Sequence, residues 1–325
     1  MGWLLAAVCL ISACALSIAI GTKNIPVTDL LDALWQPDGS PDDLIVSEYR
    51  LPRTILGLLA GTALGVAGCL MQGLTRNPLA DPGLLGVNAG AAFAIAVAVA
   101  YLGVDSIGEY VWFGFAGAAV VSVVVFRLGT VGRGGTDPIR LTLAGVAVTA
   151  VLTGVTKGLI LLNSVAFDKM RQWDAGALTG RGYDVIAGAA PFIVAGMILA
   201  AIAARSLNAV ALGDDLARAL GVNVTRTRVC TALALILLCG TATAAVGPIT
   251  FVGLAVPHIA RWIVGPDHRW IVAYSLVLAP TLVLVADVVG RIAIPPDELA
   301  AGVVTAFLGA PVLIWLARRT ELRQS

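Results

Sequence analysis

The sequence predicts an all-α membrane protein with about ten transmembrane helices. Hydrophobic residues make up 58% of its 325 residues and charged residues 13%, whereas an ordinary soluble domain carries roughly a quarter charged residues. Mean hydropathy is +0.92. Long apolar runs recur from Trp3 to the neighbourhood of Ala317, each close to the ~20 residues that cross ~30 Å of hydrocarbon as a helix.

Breaks at Gly, Pro and charge clusters delimit ten apolar segments, near 3–20, 54–71, 84–102, 111–128, 141–162, 187–204, 229–246, 251–264, 271–292 and 300–317. The first contains Ile11-Ser12-Ala13-Cys14, loosely like a lipoprotein cleavage site, but no Lys or Arg precedes Lys23. Without a charged n-region it reads as a retained helix. The second carries Gly57, Gly61 and Gly65 at four-residue spacing, one smooth face against which another helix can lie closely. The segment 251–264 is too short for an untilted crossing and reads as a half-helix, which needs protein or water over its ends. No connection is long enough to form a separate domain, and no fixed-period repeat is present. The whole of 1–325 is therefore expected to be one integral domain.

If the N-terminus is cytoplasmic and all ten segments cross, thirteen Lys and Arg fall inside, among them Arg76, Arg133, Arg218, Arg228, Arg261 and Arg323. Eight fall outside: Lys23, Arg50, Arg53, Lys157, Lys169, Arg171, Arg181 and Arg291. That bias favours both termini inside. Were 251–264 not to cross, every later loop would change sides.

Net charge of +1 argues against nucleic acid as a partner. The five cysteines lie in apolar segments without C-x-x-C or His neighbours, so they read as small core residues. There is no G-x-x-x-x-G-K-[ST] loop for ATP, no convergent nucleophile and base, and no metal set around His258 and His268.

Five motifs stand out. Arg50-Leu51-Pro52-Arg53 leads into the second segment, Pro52 suiting a first helical turn. The two arginines, i and i+3 on one face at the outer surface, either snorkel as interfacial anchors or receive a partner's carboxylates. Arg76-Asn77-Pro78-Leu79-Ala80-Asp81-Pro82-Gly83 specifies a defined turn in which Asn77 satisfies local backbone and Asp81 caps the next helix. Leu212-Gly213-Asp214-Asp215-Leu216-Ala217-Arg218-Ala219-Leu220-Gly221 holds a short amphipathic helix with Leu216, Ala217 and Leu220 as its apolar face. Such a helix either lies on the membrane or docks a cytoplasmic protein. Gly247-Pro248 opens a broken segment in which Pro257 forces a kink or restart, with His258 and Arg261 in structural roles. Asp287 and Arg291, four apart, have the order of a helical ion pair.

Taken together and in order, RLPR (50–53), RNPLADPGLLGVNAG (76–90), LTLAGVA (141–147), LGDDLARALG (212–221), GPITFVGLAVPHIARWIVGPDHRW (247–270), AD with R across 286–291 and GAPVLIWLARR (309–319) resemble the FecCD/BtuC-like family of ABC importer permeases. These serve siderophores, haem and cobalamin. The resemblance runs over nearly the whole chain, and the 76–90 and 247–270 wording is most like the ferric enterobactin type. It implies a ten-helix, BtuC-like subunit of the inner membrane, without a catalytic site or cofactor of its own. It would pair with an identical or paralogous permease, with two cytoplasmic ATPases that hold ATP and Mg, and with an extracytoplasmic binding protein. Position by position, Arg50, Arg53 and Arg291 match arginines that meet the binding protein's acidic residues, and 212–221 matches the helix seated on the ATPase. The carried ligand would be an iron-siderophore complex, with haem or cobalamin as the alternative within the family and an ion-coupled secondary transporter as the alternative outside it. Glu298-Leu299-Ala300-Ala301-Gly302 departs from the pattern, which has a proline after Glu-Leu.

Overall fold

The computed structural model describes residues 2–21, 23, 25–35, 39–130, 138–294 and 297–321. Arg133 and Arg323, expected on the inner side, lie outside them. The described residues form helices α1 (Gly2–Ala19), α2 (Val27–Trp35), α3 (Pro41–Leu44), α4 (Leu51–Thr75), α5 (Val87–Tyr101), α6 (Ile107–Thr130), α7 (Pro138–Leu162) and α8 (Ser164–Asp174). They continue with α9 (Tyr183–Ala211), α10 (Asp214–Ala219), α11 (Val224–Leu235), α12 (Thr241–Val246), α13 (Val252–Val264), α14 (His268–Ala293) and α15 (Ala301–Glu321).

Among the described residues seven helices are long and apolar enough to cross a membrane, and Val87–Tyr101, Val252–Val264 and Ala301–Ile314 are shorter apolar helices. These ten coincide with the ten apolar segments of the sequence. Two of the long ones are continuous through wider π turns: α3 runs through Ile45–Arg50 into α4, and α11 runs through Ile236–Gly240 into α12. Helices α2 and α8 were not apparent from the apolar runs. Both are short, and α8 is polar on average, so they sit in connections rather than in spans.

The core forms around α4, because its sequence lets backbones approach. Over an 18-residue apolar stretch of the Pro41–Thr75 span 78% of the residues are buried, against 17% for such stretches of α1 and of α7, so α4 is the central post while α1 and α7 are peripheral. A Cβ on Gly61 would lie 2.5 Å from the Pro280 Cα, and one on Gly65 would lie 2.3 Å from the Ala279 Cβ. The 57–61–65 face is thus the seat of α14. Gly68 continues it against a different helix, since its Cβ would meet the Gly253 carbonyl of α13 at 1.8 Å. Where hydrophobic burial cannot drive helices together in lipid, this close van der Waals packing does.

Candidate functional site

The start of α4, the end of α14 and the end of α1 meet in a cluster of buried charges. Arg53 donates from Nε and Nη2 to both oxygens of Asp287 at 2.8–3.1 Å, and from Nη1 to Glu298 at 2.8 Å. Arg291 donates from Nε to Asp287 at 3.1 Å, and from Nη1 to the carbonyls of Ser17 and Ile20 at 2.6 and 2.7 Å. Arg50 donates to the carbonyls of Ile18 and Ala19, both at 2.8 Å, and to that of Lys23. The last carbonyls of α1, which have no helical partner, are therefore capped by two guanidinium groups, the favourable charge for a helix C-terminus.

This arrangement corrects two expectations. Arg50 and Arg291 are buried rather than displayed on the outer surface, and Arg50 and Arg53 do not share a face in use: Arg50 closes the π turn and reaches α1, while Arg53 begins α4 and reaches α14. Nor do Asp287 and Arg291 simply neutralise one another, because Arg53 is a third member. Glu298, two residues before the position where the expected proline is missing, holds Arg53 and accepts from Thr179 at 3.3 Å. A cavity of about 700 Å³ opens over the cluster, with Arg50, Arg53, Arg291, Glu48, Arg181 and Glu298 in its walls.

At mid-depth the two longest motifs converge. After α4 the chain turns back into the protein. The Leu79 amide donates to Asn77 Oδ1 at 2.9 Å within the Asn77-Pro78 turn, and Gly83 donates to Asp81 Oδ1 at 2.8 Å. Asp81 thereby caps the single turn Pro82–Leu85 rather than α5, whose N-cap is Gly86 in a left-handed conformation. The non-helical stretch 247–251 links α12 to α13. Gly247, at φ +78°, lies against the Trp173 carbonyl where a Cβ would come within 2.2 Å. Pro248 places its carbonyl against Gly176. Gly253 packs on Leu64, Gly68 and Pro82, near the midpoint of α4, so α13 is the half-helix that its length suggests. Pro257 lies inside α13 rather than at its start. It leaves the Gly253 carbonyl without its helical donor, and that carbonyl faces Gly68. Irregular backbone at this depth is tolerated only where protein covers it or water lines it. Thr250 is exposed, so part of this stretch faces outward from the chain.

The opposite end of α4 carries a second carboxylate hub. Arg76, the left-handed C-cap of α4 at φ 52°, pairs with Asp214. Arg228 of α11 bonds the same carboxylate at 2.9–3.0 Å, and Arg218 bonds Asp215 at 3.0 Å. Gly213 and Gly221, at φ +114° and +80°, turn the chain into and out of α10. The expected apolar face divides: Ala217 is buried with Val210 and Val224, while Leu212, Leu216 and Leu220 point away from the protein. Arg218 and Ala219 complete the wet side of a helix held at its acidic N-terminus and free at its leucines.

Nearby, Arg261 donates to Gln72 Oε1 at 3.0 Å, and Gln72 Nε2 donates to the Leu254 carbonyl at 3.2 Å. His258 stacks edge-on to Trp262 at 4.8 Å; among the described residues no group of three His, Cys, Asp or Glu is placed to hold a metal. The sequence reading overlooked Gln72 and the set of Asn208, Asp267 and His268. Asn208 donates to Asp267 at 2.7 Å and accepts from the His268 amide at 2.8 Å. A lone amide at the end of an apolar helix was the available signal. Side-chain hydrogen bonds from Arg269 and then Asn208 hold the Asp267 carboxyl well below the usual carboxylate range.

The chain is 52% identical over 95% of its length to the ferric enterobactin transport system permease protein FepD of Escherichia coli (strain K12), covering 92% of that protein. It is 37% identical over 95% of its length to the Fe(3+) dicitrate transport system permease protein FecD of Escherichia coli (strain K12), covering 96% of that protein. It is 34% identical to the hemin transport system permease protein HmuU of Yersinia pestis, over 95% of this chain and 91% of that one. A metal-chelate type ABC transporter solved in an inward-facing conformation has the same fold, with a TM-score of 0.81 over 95% of this chain and 97% of the other at 22% identity. With residues 9–319 matching its pattern, the chain belongs to the FecCD transport family.

Proposed function

We propose that the chain is the membrane-spanning permease subunit of an ATP-driven importer that moves an iron-siderophore complex, of the catecholate, enterobactin-like class, into the cytoplasm. The observation that carries the reading is the 52% identity to the ferric enterobactin permease over nearly the full length of both chains. The geometry supports the division of labour. An exposed helix with outward leucines and acidic residues, tied through Asp214 to α4 and α11, suits a cytoplasmic ATPase that binds ATP and Mg. The arginine-walled cavity at the other end suits acidic side chains of an extracytoplasmic binding protein, with Arg50, Arg53 and Arg291 contributing through the positive potential of its wall, since their donors are bonded within the chain. The excess of Lys and Arg toward the Asp214 end supports a cytoplasmic place for both termini. A second permease, identical or paralogous, covers the outward-facing 247–251 stretch and closes the path. This chain performs no chemistry of its own.

The test is uptake by iron-starved cells lacking this gene, with ferric catecholate, ferric hydroxamate, haem and cobalamin. Loss of catecholate uptake alone, restored by the gene, is the expected result. That uptake should fail when the partner ATPase is inactive and persist when the proton gradient is collapsed with ATP maintained. Unchanged uptake of all four ligands would overturn the siderophore assignment.

A further inference from the structure

An ion pair stands on the outside of an otherwise apolar span. Lys157 lies in α7, whose Ile139–Leu162 span is mostly exposed. Its ammonium is 3.7 Å from Asp174, and the two side chains are 64% and 39% exposed. Leu161 and Leu162, still more exposed, follow it in the helix. Lys157 is thus about five residues, or ~7 Å, from the helix end, and its ammonium is paired with Asp174. Gly154, Lys157, Gly158 and Leu161 share one face by helical spacing. At both glycines an added Cβ would meet nothing within 4 Å, so among the described residues no side chain or backbone packs on this face at Gly154 or Gly158.

Ionisable groups within a span as a rule line water or meet a partner, and this pair has its partner in the chain while both members stay open to the outside. Asp174 fixes the pair's place. It follows Trp173, which is fully buried and whose carbonyl abuts Gly247 at the head of the irregular 247–251 stretch. Asp174 therefore adjoins the non-helical 247–251 stretch, whose Thr250 is exposed.

We propose that Lys157 is a specificity-determining residue of the translocation path, whose ammonium meets the net negative ferric catecholate as it passes, with Asp174 as its resting counter-ion. This rests on the siderophore reading above. The open face around Gly154 and Gly158 gives a bulky chelate clearance. Asp174 serves release: a pair with little net charge attracts the anion only while the lysine turns to it, and conduction needs binding weak enough to leave.

The experiment measures initial uptake of ferric enterobactin by the deletion strain carrying the full-length chain as wild type, K157R, K157Q, D174N or the exchanged K157D/D174K, each normalised to its level in the membrane. Uptake should fall about tenfold in K157Q, stay near wild type in K157R, stay level or rise in D174N, and remain low in the exchanged pair. Wild-type uptake in K157Q would overturn the proposal. So would a D174N loss equal to that of K157Q, or rescue by the exchange, either of which makes the pair a structural bridge. Failure of the wild-type gene itself to restore ferric enterobactin uptake would overturn the siderophore reading, and the role of Lys157 with it.

Discussion

The two ends of α4 solve the same problem in opposite ways. At one end Asp287, 1% exposed, takes Arg53 and Arg291, and the remaining donors of Arg291 and those of Arg50 are spent on the carbonyls of α1. At the other end Asp214, 23% exposed, takes Arg76, Arg228 and Arg218, and water has access to most of them. A buried network whose every member is bonded fixes helices in one arrangement, because leaving any charge unpaired is costly. An exposed network is weaker and screened, so its helix can shift without a large penalty. The comparison teaches that the arginine end is a joint and the α10 end a contact that can move under load.

The sharpest way to break this comparison is Asp287→Ala, which leaves two buried guanidinium groups without their shared carboxylate. It should cost about 3–5 kcal/mol, read as a large drop in the thermal midpoint of the purified protein, or as loss of the protein from the membrane. Next comes Gly68→Val, between the two ends, where added carbon has only the Gly253 backbone to displace. Overpacking of about 1–3 kcal/mol is expected, with Gly68→Ala milder in the same melting assay. Asp214→Asn should cost at most about 1 kcal/mol, and less in high salt. Its larger effect should fall on ATPase activity stimulated by the binding protein. Equal melting losses for the Asp287 and Asp214 variants would erase the distinction between joint and movable contact.

The smallest expected effect is at Asp267. Its folded pKa is depressed by Arg269 and Asn208, so its contribution is fully present above the unfolded value near ~3.9 and is lost as pH falls through the folded value. Melting temperatures of wild type and Asp267→Asn should therefore differ by a constant amount between pH 5 and 8. A difference that changed across that window would show that another group governs this turn.

Much of the architecture was legible in the residues, for a physical reason. Hydrocarbon requires each crossing to satisfy its own backbone, so apolar length maps directly onto helices, and all ten segments found theirs. The Gly57–Gly61–Gly65 face was equally readable, since only hydrogen side chains allow the contact that α14 makes with it. The shortness of 251–264 likewise carried the half-helix. Residue partners were not legible in the same way. Spacing gave Asp287 to Arg291, but Arg53 lies 234 positions away from Asp287 and reaches it only because α4 and α14 pack side by side. The helical wheel of 212–221 identified three apolar residues, yet which of them turned inward depended on Val210 and Val224 being beneath Ala217.

By itself, then, the sequence determined what the solvent demands: an all-helical membrane chain, its spans, its breaks and the motifs that mark its family. Tertiary structure alone decided that the arginines expected on the surface cap α1 from within, that two distant broken stretches meet against the middle of α4, and that Lys157 finds Asp174. Local periodicity reports how a residue relates to water or lipid. Which charge it meets is set by helix packing between residues far apart in the chain, and in a low-dielectric interior that meeting decides what the charge can do.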